Sequence, residues 1–119
     1  SHRRQRQMCI RDREESAVNI PNNEYIDCLP DRIVVEVPAK INNQGIHGIT
    51  LENYPKGFGN LLNSQVGVIQ LTTEAILNKS KHFAYLALLA DPVVDNAIAA
   101  EKLLDNIIEK QSEFLGYLN

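Results

Sequence analysis

Residues 33–51 read IVVEVPAKINNQGIHGITL, and this stretch decides the class of fold. Ile33 to Val37 is a β-branched run of strand length. Successive side chains on a strand alternate sides, so Ile33, Val35 and Val37 share one face and Val34 and Glu36 the other. Pro38 has no N–H to give a ladder and should mark the strand end or an edge position. Asn42-Asn43-Gln44-Gly45 reads as a turn, with Gly45 free to take positive φ. Ile46 to Leu51 can then return as a second strand. A two-stranded hairpin is marginal alone in water, so this one requires a larger partner.

The flanks supply it. Upstream, residues 17–30 (AVNIPNNEYIDCLP) are turn-rich, punctuated by Pro21, Asn22 and Asn23 and closed by Pro30. Downstream of Tyr54-Pro55 the apolar period becomes helical. Phe58, Leu62, Gln65, Ile69, Thr73 and Ile76 recur at steps of three or four, broadened by Leu61, Val66 and Leu77. Gly67 costs that helix about 1 kcal/mol relative to Ala, which predicts a packing reason for it. Ser80 suits the N-cap of a second helix, Lys81 to Ala90, with Phe83, Leu86, Ala87 and Ala90 in one stripe. Asp91-Pro92 ends it. A third helix is predicted from Ala97 to about Leu118. Ala100, Leu103, Leu104, Ile107, Ile108, Phe114, Leu115 and Leu118 form its core face, and Glu101, Asp105, Glu109 and Glu113 its solvated one. Like charges at i,i+4 cost a few tenths of a kcal/mol per pair. Burying each larger apolar side chain returns about 1.5–3 kcal/mol. The fold class is α+β: a β-hairpin or antiparallel strands followed by three helices.

Composition limits the function classes. The chain has 119 residues, 44% apolar and 23% charged, with a formal net charge of −3. That length allows one domain or part of one. No run of about 18 apolar residues exists to cross a membrane. Two Cys do not make a disulfide scaffold, and the apolar fraction is too high for a disordered chain. The charge is a composite. Residues 1–13 (SHRRQRQMCIRDR) hold five Arg against one Asp, a formal +4, and residues 14–119 hold fourteen acids against seven Lys and Arg, a formal −7. A basic arm on nucleic acid would make phosphate contacts, but no aromatic residue is interleaved and the body is acidic. A secretory signal would need an apolar segment after the Arg residues. An organellar presequence fits the composition less well, because Asp12, Glu14 and Glu15 arrive early. The string QRQMCIRDR resembles translated sequencing-adaptor sequence. Residues 1–13 are therefore read as a non-native or disordered basic segment, and 14–119 as the folded body.

Cys28, His47 and His82 are the only Cys and His of the body, and their separations match no zinc signature. Cys28 and His47 could form a nucleophile and base, but a small buried Cys and a hairpin His are the commoner roles. There is no Walker loop, GxGxxG, HExxH or GxSxG. The acids of the last helix share a solvated face, not a cleft, so no glycosidase-type carboxylate pair is visible.

Longer strings carry more. VNIPNNEYIDCLP (18–30), VVEVPAKINNQGIHGI (34–49), LLNSQVGVIQLTTEAIL (61–77), ALLADPVVDNAIAAEKLLD (87–105) and EFLGYL (113–118) occur in the order and spacing of one known family. Over about 100 residues the chain resembles the C-terminal part of glycoside hydrolase family 4, the NAD- and manganese-dependent glycosidases. The IHG return and the LGYL ending are most similar to its α-galactosidase and α-glucosidase branch. Two departures stand out: Glu24 where Gly is usual, and Cys28 where Asn is usual.

The resemblance implies the C-terminal domain shared with lactate and malate dehydrogenases. It also implies a mechanism in which NAD oxidises the sugar at C3, a Tyr removes the acidified C2 proton, a divalent metal stabilises the enediolate, and the aglycone leaves by elimination. Water then adds and the ketone is reduced. The family's Gly-rich dinucleotide loop, metal-binding Cys and His, and Tyr base all lie upstream of the matched part. No catalytic, NAD-binding or manganese-binding residue is therefore carried onto this sequence. Asn22, Asn23 and His47 remain as candidates for lining a substrate pocket, against ordinary turn and hairpin roles. The expectation is a C-terminal fragment, inactive alone, of a cytoplasmic homo-oligomeric enzyme. That enzyme would act on a small α-glycoside, with neither nucleic acid nor membrane as partner. Two alternatives compete: a non-enzymatic helical protein-interaction module, and the end of a 2-hydroxyacid dehydrogenase. LTTEAIL (71–77) and ALLADPVV (87–94) speak against the latter.

Overall fold

The computed structural model describes residues 12–118. The reading of 1–13 as foreign falls outside this range except for Asp12 and Arg13, and Arg13 opens the first strand. The chain divides into two compact units, with the boundary between Asn60 and Leu61.

The first unit is built on a three-stranded antiparallel sheet, β1 (Arg13–Pro21), β2 (Val34–Asn42) and β3 (Gly45–Gly48), in the order β1-β2-β3. The central strand alternates as expected: Val35, Val37 and Ala39 are buried while Val34, Glu36 and Lys40 are exposed. Val37, 1% exposed, anchors a core with Val35 and Ile26. Ile20, Tyr25, Cys28, Leu29, Ile33, Leu51 and Tyr54 pack around them. The hairpin's larger partner is thus β1 together with the loop that follows it.

Three expectations for this unit need correction. The segment 17–30 is not all turn: β1 runs to Pro21, because Val18 and Ile20 fall on the half-buried side of a strand paired with Val37 and Val35. Its turn residues begin only at Asn22. Pro38 does not end β2. The register shifts between Glu15 and Val18, so that Ser16 and Ala17 together face Pro38 across a β-bulge. The Pro38 carbonyl accepts from Ile49 N–H at 2.8 Å. A strand residue's N and O point to the same neighbour, so the donor that proline lacks is the one Ile49 would need in return. That missing bond is why β3 stops at Gly48 and does not reach Leu51. Pro38 thus lies inside the central strand, with its missing donor aimed just past the end of β3. Leu51 N–H turns away to the Tyr25 carbonyl at 2.8 Å. Tyr25 lies over Gly48 so closely that a Cβ there would sit 2.7 Å from its ring.

Helix α1 (Lys56–Leu77) crosses the boundary, and α2 (Lys81–Ala90), α3 (Ala97–Lys110) and α4 (Ser112–Leu115) follow. Ser80 caps its helix as the sequence offered, and Asn96 caps the next. The Ser80 hydroxyl accepts from Phe83 N–H at 3.3 Å, and Asn96 Oδ1 from Ala99 N–H at 2.9 Å. Helix α1 ends with Lys79 at φ +52°, while Ser80 N–H reaches back to Ala75 O and Lys79 N–H to Ile76 O, a Schellman closure. Helices α2 and α3 pack together and are tied by an ion pair between Lys81 Nζ and Asp105. Ala87, Ala100 and Leu104 are buried.

The third predicted helix is shorter than expected. Gln111 leaves helical geometry (φ −110°, ψ 30°), and Ser112, a poor helix former, opens the separate turn α4. Only part of its predicted core face is covered: Leu103, Ile107 and Phe114 are exposed beside buried Ala100 and Leu104. Helix α1 departs further. Phe58, Leu62, Ile69 and Ile76, the stripe that periodicity assigned to the core, are 62%, 37%, 51% and 56% exposed. The helix instead covers Val66 and Ala75 and half-covers Val68 and Leu71. Gly67 has no packing reason here, since a Cβ on it would meet nothing within 4 Å.

Candidate functional site

The loop from Asn22 to Ile33 carries two of the three residues singled out by sequence. Backbone bonds from Asn22 N–H to Ile33 O at 2.7 Å, and from Arg32 N–H to Asn22 O at 3.0 Å, close its neck. Its interior is organised by one side chain. Asn22, 3% exposed, donates from Nδ2 to the carbonyls of Ile26 (3.0 Å), Leu29 (3.0 Å) and Pro30 (3.2 Å). Its Oδ1 accepts from Ile26 N–H at 3.1 Å. A carboxamide has two N–H and one carbonyl to offer, and all are committed inside the loop. Asn22 therefore shapes the loop and presents nothing to a ligand. Asn23 is exposed on its outer side. Glu24 has φ +58°, which explains why glycine is the usual residue there: a side chain in this region costs about 1–2 kcal/mol.

His47 lies elsewhere. Exposed on β3, opposite Lys40, it is held by Nε2···Asn42 Oδ1 at 3.2 Å, and the same Oδ1 accepts from Gln44 N–H at 2.8 Å. Pro21, just before Asn22, pairs with Val34 at one end of β2, whereas His47 pairs with Lys40 near the other. Six strand residues at about 3.3 Å each put roughly 20 Å between those positions. The three candidates do not converge on one site. Nor do Cys28 and His47 form a pair: Cys28 packs beside Tyr54 and Gly59, and His47 bonds Asn42.

Each end of the sheet unit has a cavity. One of about 300 Å³ is lined by Asp12, Arg13, Glu14, Lys40, Ile41 and Asn42, where an Arg13–Glu15 ion pair of 2.9 Å also sits. A larger one, about 580 Å³, is bounded by Asp27, Cys28, Tyr54, Lys56 and Asn60. This second wall was missed by sequence reasoning. Its polar groups come from the 22–33 loop and, 25 or more residues further on, from the segment around Tyr54 and the first turns of α1, and neither stretch stands out alone. A carboxylate, an ammonium and carboxamides around a tyrosine can hydrogen-bond a polar ligand. Among the described residues, no group of three or more His, Cys, Asp or Glu is placed to hold a metal ion. The described residues fit neither a bound metal nor, lacking a glycine-rich phosphate loop, a dinucleotide. No catalytic step is derived through either group.

A three-stranded antiparallel sheet followed by helices is the architecture of the C-terminal region of a class of NAD-using glycosidases. The 6-phospho-β-glucosidase from Thermotoga maritima, solved with manganese, NAD+ and glucose-6-phosphate, matches 88% of this chain with a TM-score of 0.80 and 28% identity, over 27% of its own length. Residues 6–94 match the model of the family 4 glycosyl hydrolase C-terminal domain, and the chain belongs to that family. An α-glucosidase of Erwinia rhapontici is 45% identical over 105 residues, covering 88% of this chain and 23% of the relative. The maltose-6'-phosphate glucosidase MalH of Clostridium acetobutylicum is 28% identical over 106 residues, 89% of this chain and 24% of the relative. The chain thus spans about a quarter of the length of the relatives it matches.

Proposed function

We propose that this chain works as the C-terminal region of a glycosidase acting on unphosphorylated α-glycosides, α-glucosides or α-galactosides, by the NAD- and manganese-dependent oxidation–elimination–addition route of its family. The observation that carries the substrate class is the gap in identity: 45% to an α-glucosidase against 28% and 31% to the maltose-6'-phosphate glucosidases of Clostridium acetobutylicum and Bacillus subtilis. The whole enzyme would be a cytoplasmic homo-oligomer, with cofactor and metal held by residues outside this chain. No helix among the described residues is long and apolar enough to cross a membrane.

Within this reading, Asn23 and His47 are the candidates able to line a substrate pocket, because both side chains reach the surface. Asn22 contributes through the loop that carries Asn23. The test grafts residues 14–118 onto the Erwinia rhapontici α-glucosidase in place of its matching segment. The chimera should cleave p-nitrophenyl α-glucoside or α-galactoside faster than the 6-phosphate of either, and only with NAD and manganese present. Preference for the phosphorylated substrate would overturn the substrate class. Unchanged KM in the N23A and H47A chimeras would remove those residues from the pocket.

A further inference from the structure

We draw no further inference here: the strongest candidate, the open cavity between the 22–33 loop and the first turns of α1, is lined by Asp27, Asn53, Lys56 and Asn60 as exposed side chains, and nothing in the structure shows what covers it.

Discussion

Replacing Asn22 by Ala removes four hydrogen bonds from the interior of the 22–33 loop without touching its backbone. The Ile26 N–H and C=O lose their partner in a buried setting, at about 1–3 kcal/mol each. The Leu29 and Pro30 carbonyls are reached by part-buried bonds, so water recovers much of their loss. The total is about 3–5 kcal/mol, comparable to the roughly 3–9 kcal/mol that holds a unit of some 60 residues together. Urea unfolding of the full chain, followed by circular dichroism, should show the sheet unit largely unfolded at low denaturant. Hydrogen exchange should show the Ile26 amide exposed first. Asn22→Asp adds a sign to the argument. Its carboxylate would face three carbonyl oxygens in a dry site, which raises its folded pKa above the unfolded value of about 3.9. A group whose folded pKa is raised contributes most below the unfolded pKa and loses that contribution as pH rises. N22D should therefore be less stable than N22A at pH 7 and approach or exceed it in acid. A loss under 1 kcal/mol for N22A, with Ile26 still protected, would refute the idea that this side chain holds the loop.

Other expectations follow from backbone geometry and close approach. Glu24→Gly and Lys79→Gly should each stabilise the chain by about 1 kcal/mol, because both residues hold positive φ; thermal melts that fall would show the strain is absent. Gly67→Ala should also raise stability by about 1 kcal/mol, since α1 has open space there. Gly59→Ala drives a methyl group into Cys28, whose Cβ would lie 3.2 Å away with the sulfur nearer still. It should cost about 1–3 kcal/mol, much of it recovered in the C28A background, and a double-mutant cycle with no coupling would count against the contact.

Much of the fold was legible because local chemistry and tertiary structure agreed. The alternation through Val35 and Val37, the turn ahead of Gly45, the Ser80 cap and the stop at Asp91-Pro92 each have a physical cause contained within a few residues. Strand β1 was hidden because its alternation is weak, is interrupted by the bulge between Glu15 and Val18, and ends at Pro21. The face of α1 shows the opposite failure. Its period was read correctly, but periodicity tells which side is apolar and not whether this chain supplies the cover. The site was less legible still. Asn22 looked like any turn asparagine until its partners at Ile26, Leu29 and Pro30 were seen, and the wall around Cys28 joins residues that sequence keeps far apart.

Pro38 also decides how the hairpin grows. Pairing that starts at the tight Asn43-Gln44 turn can zip outward on a microsecond scale, and an unbroken ladder would take in Ile49, Thr50 and Leu51. The prolyl nitrogen halts it one bond past Gly48, so Leu51 is released to find Tyr25 and close the core over the loop. A single ring thus divides one short segment between a local pairing and a tertiary one. With alanine at this position the two would compete for the same residues.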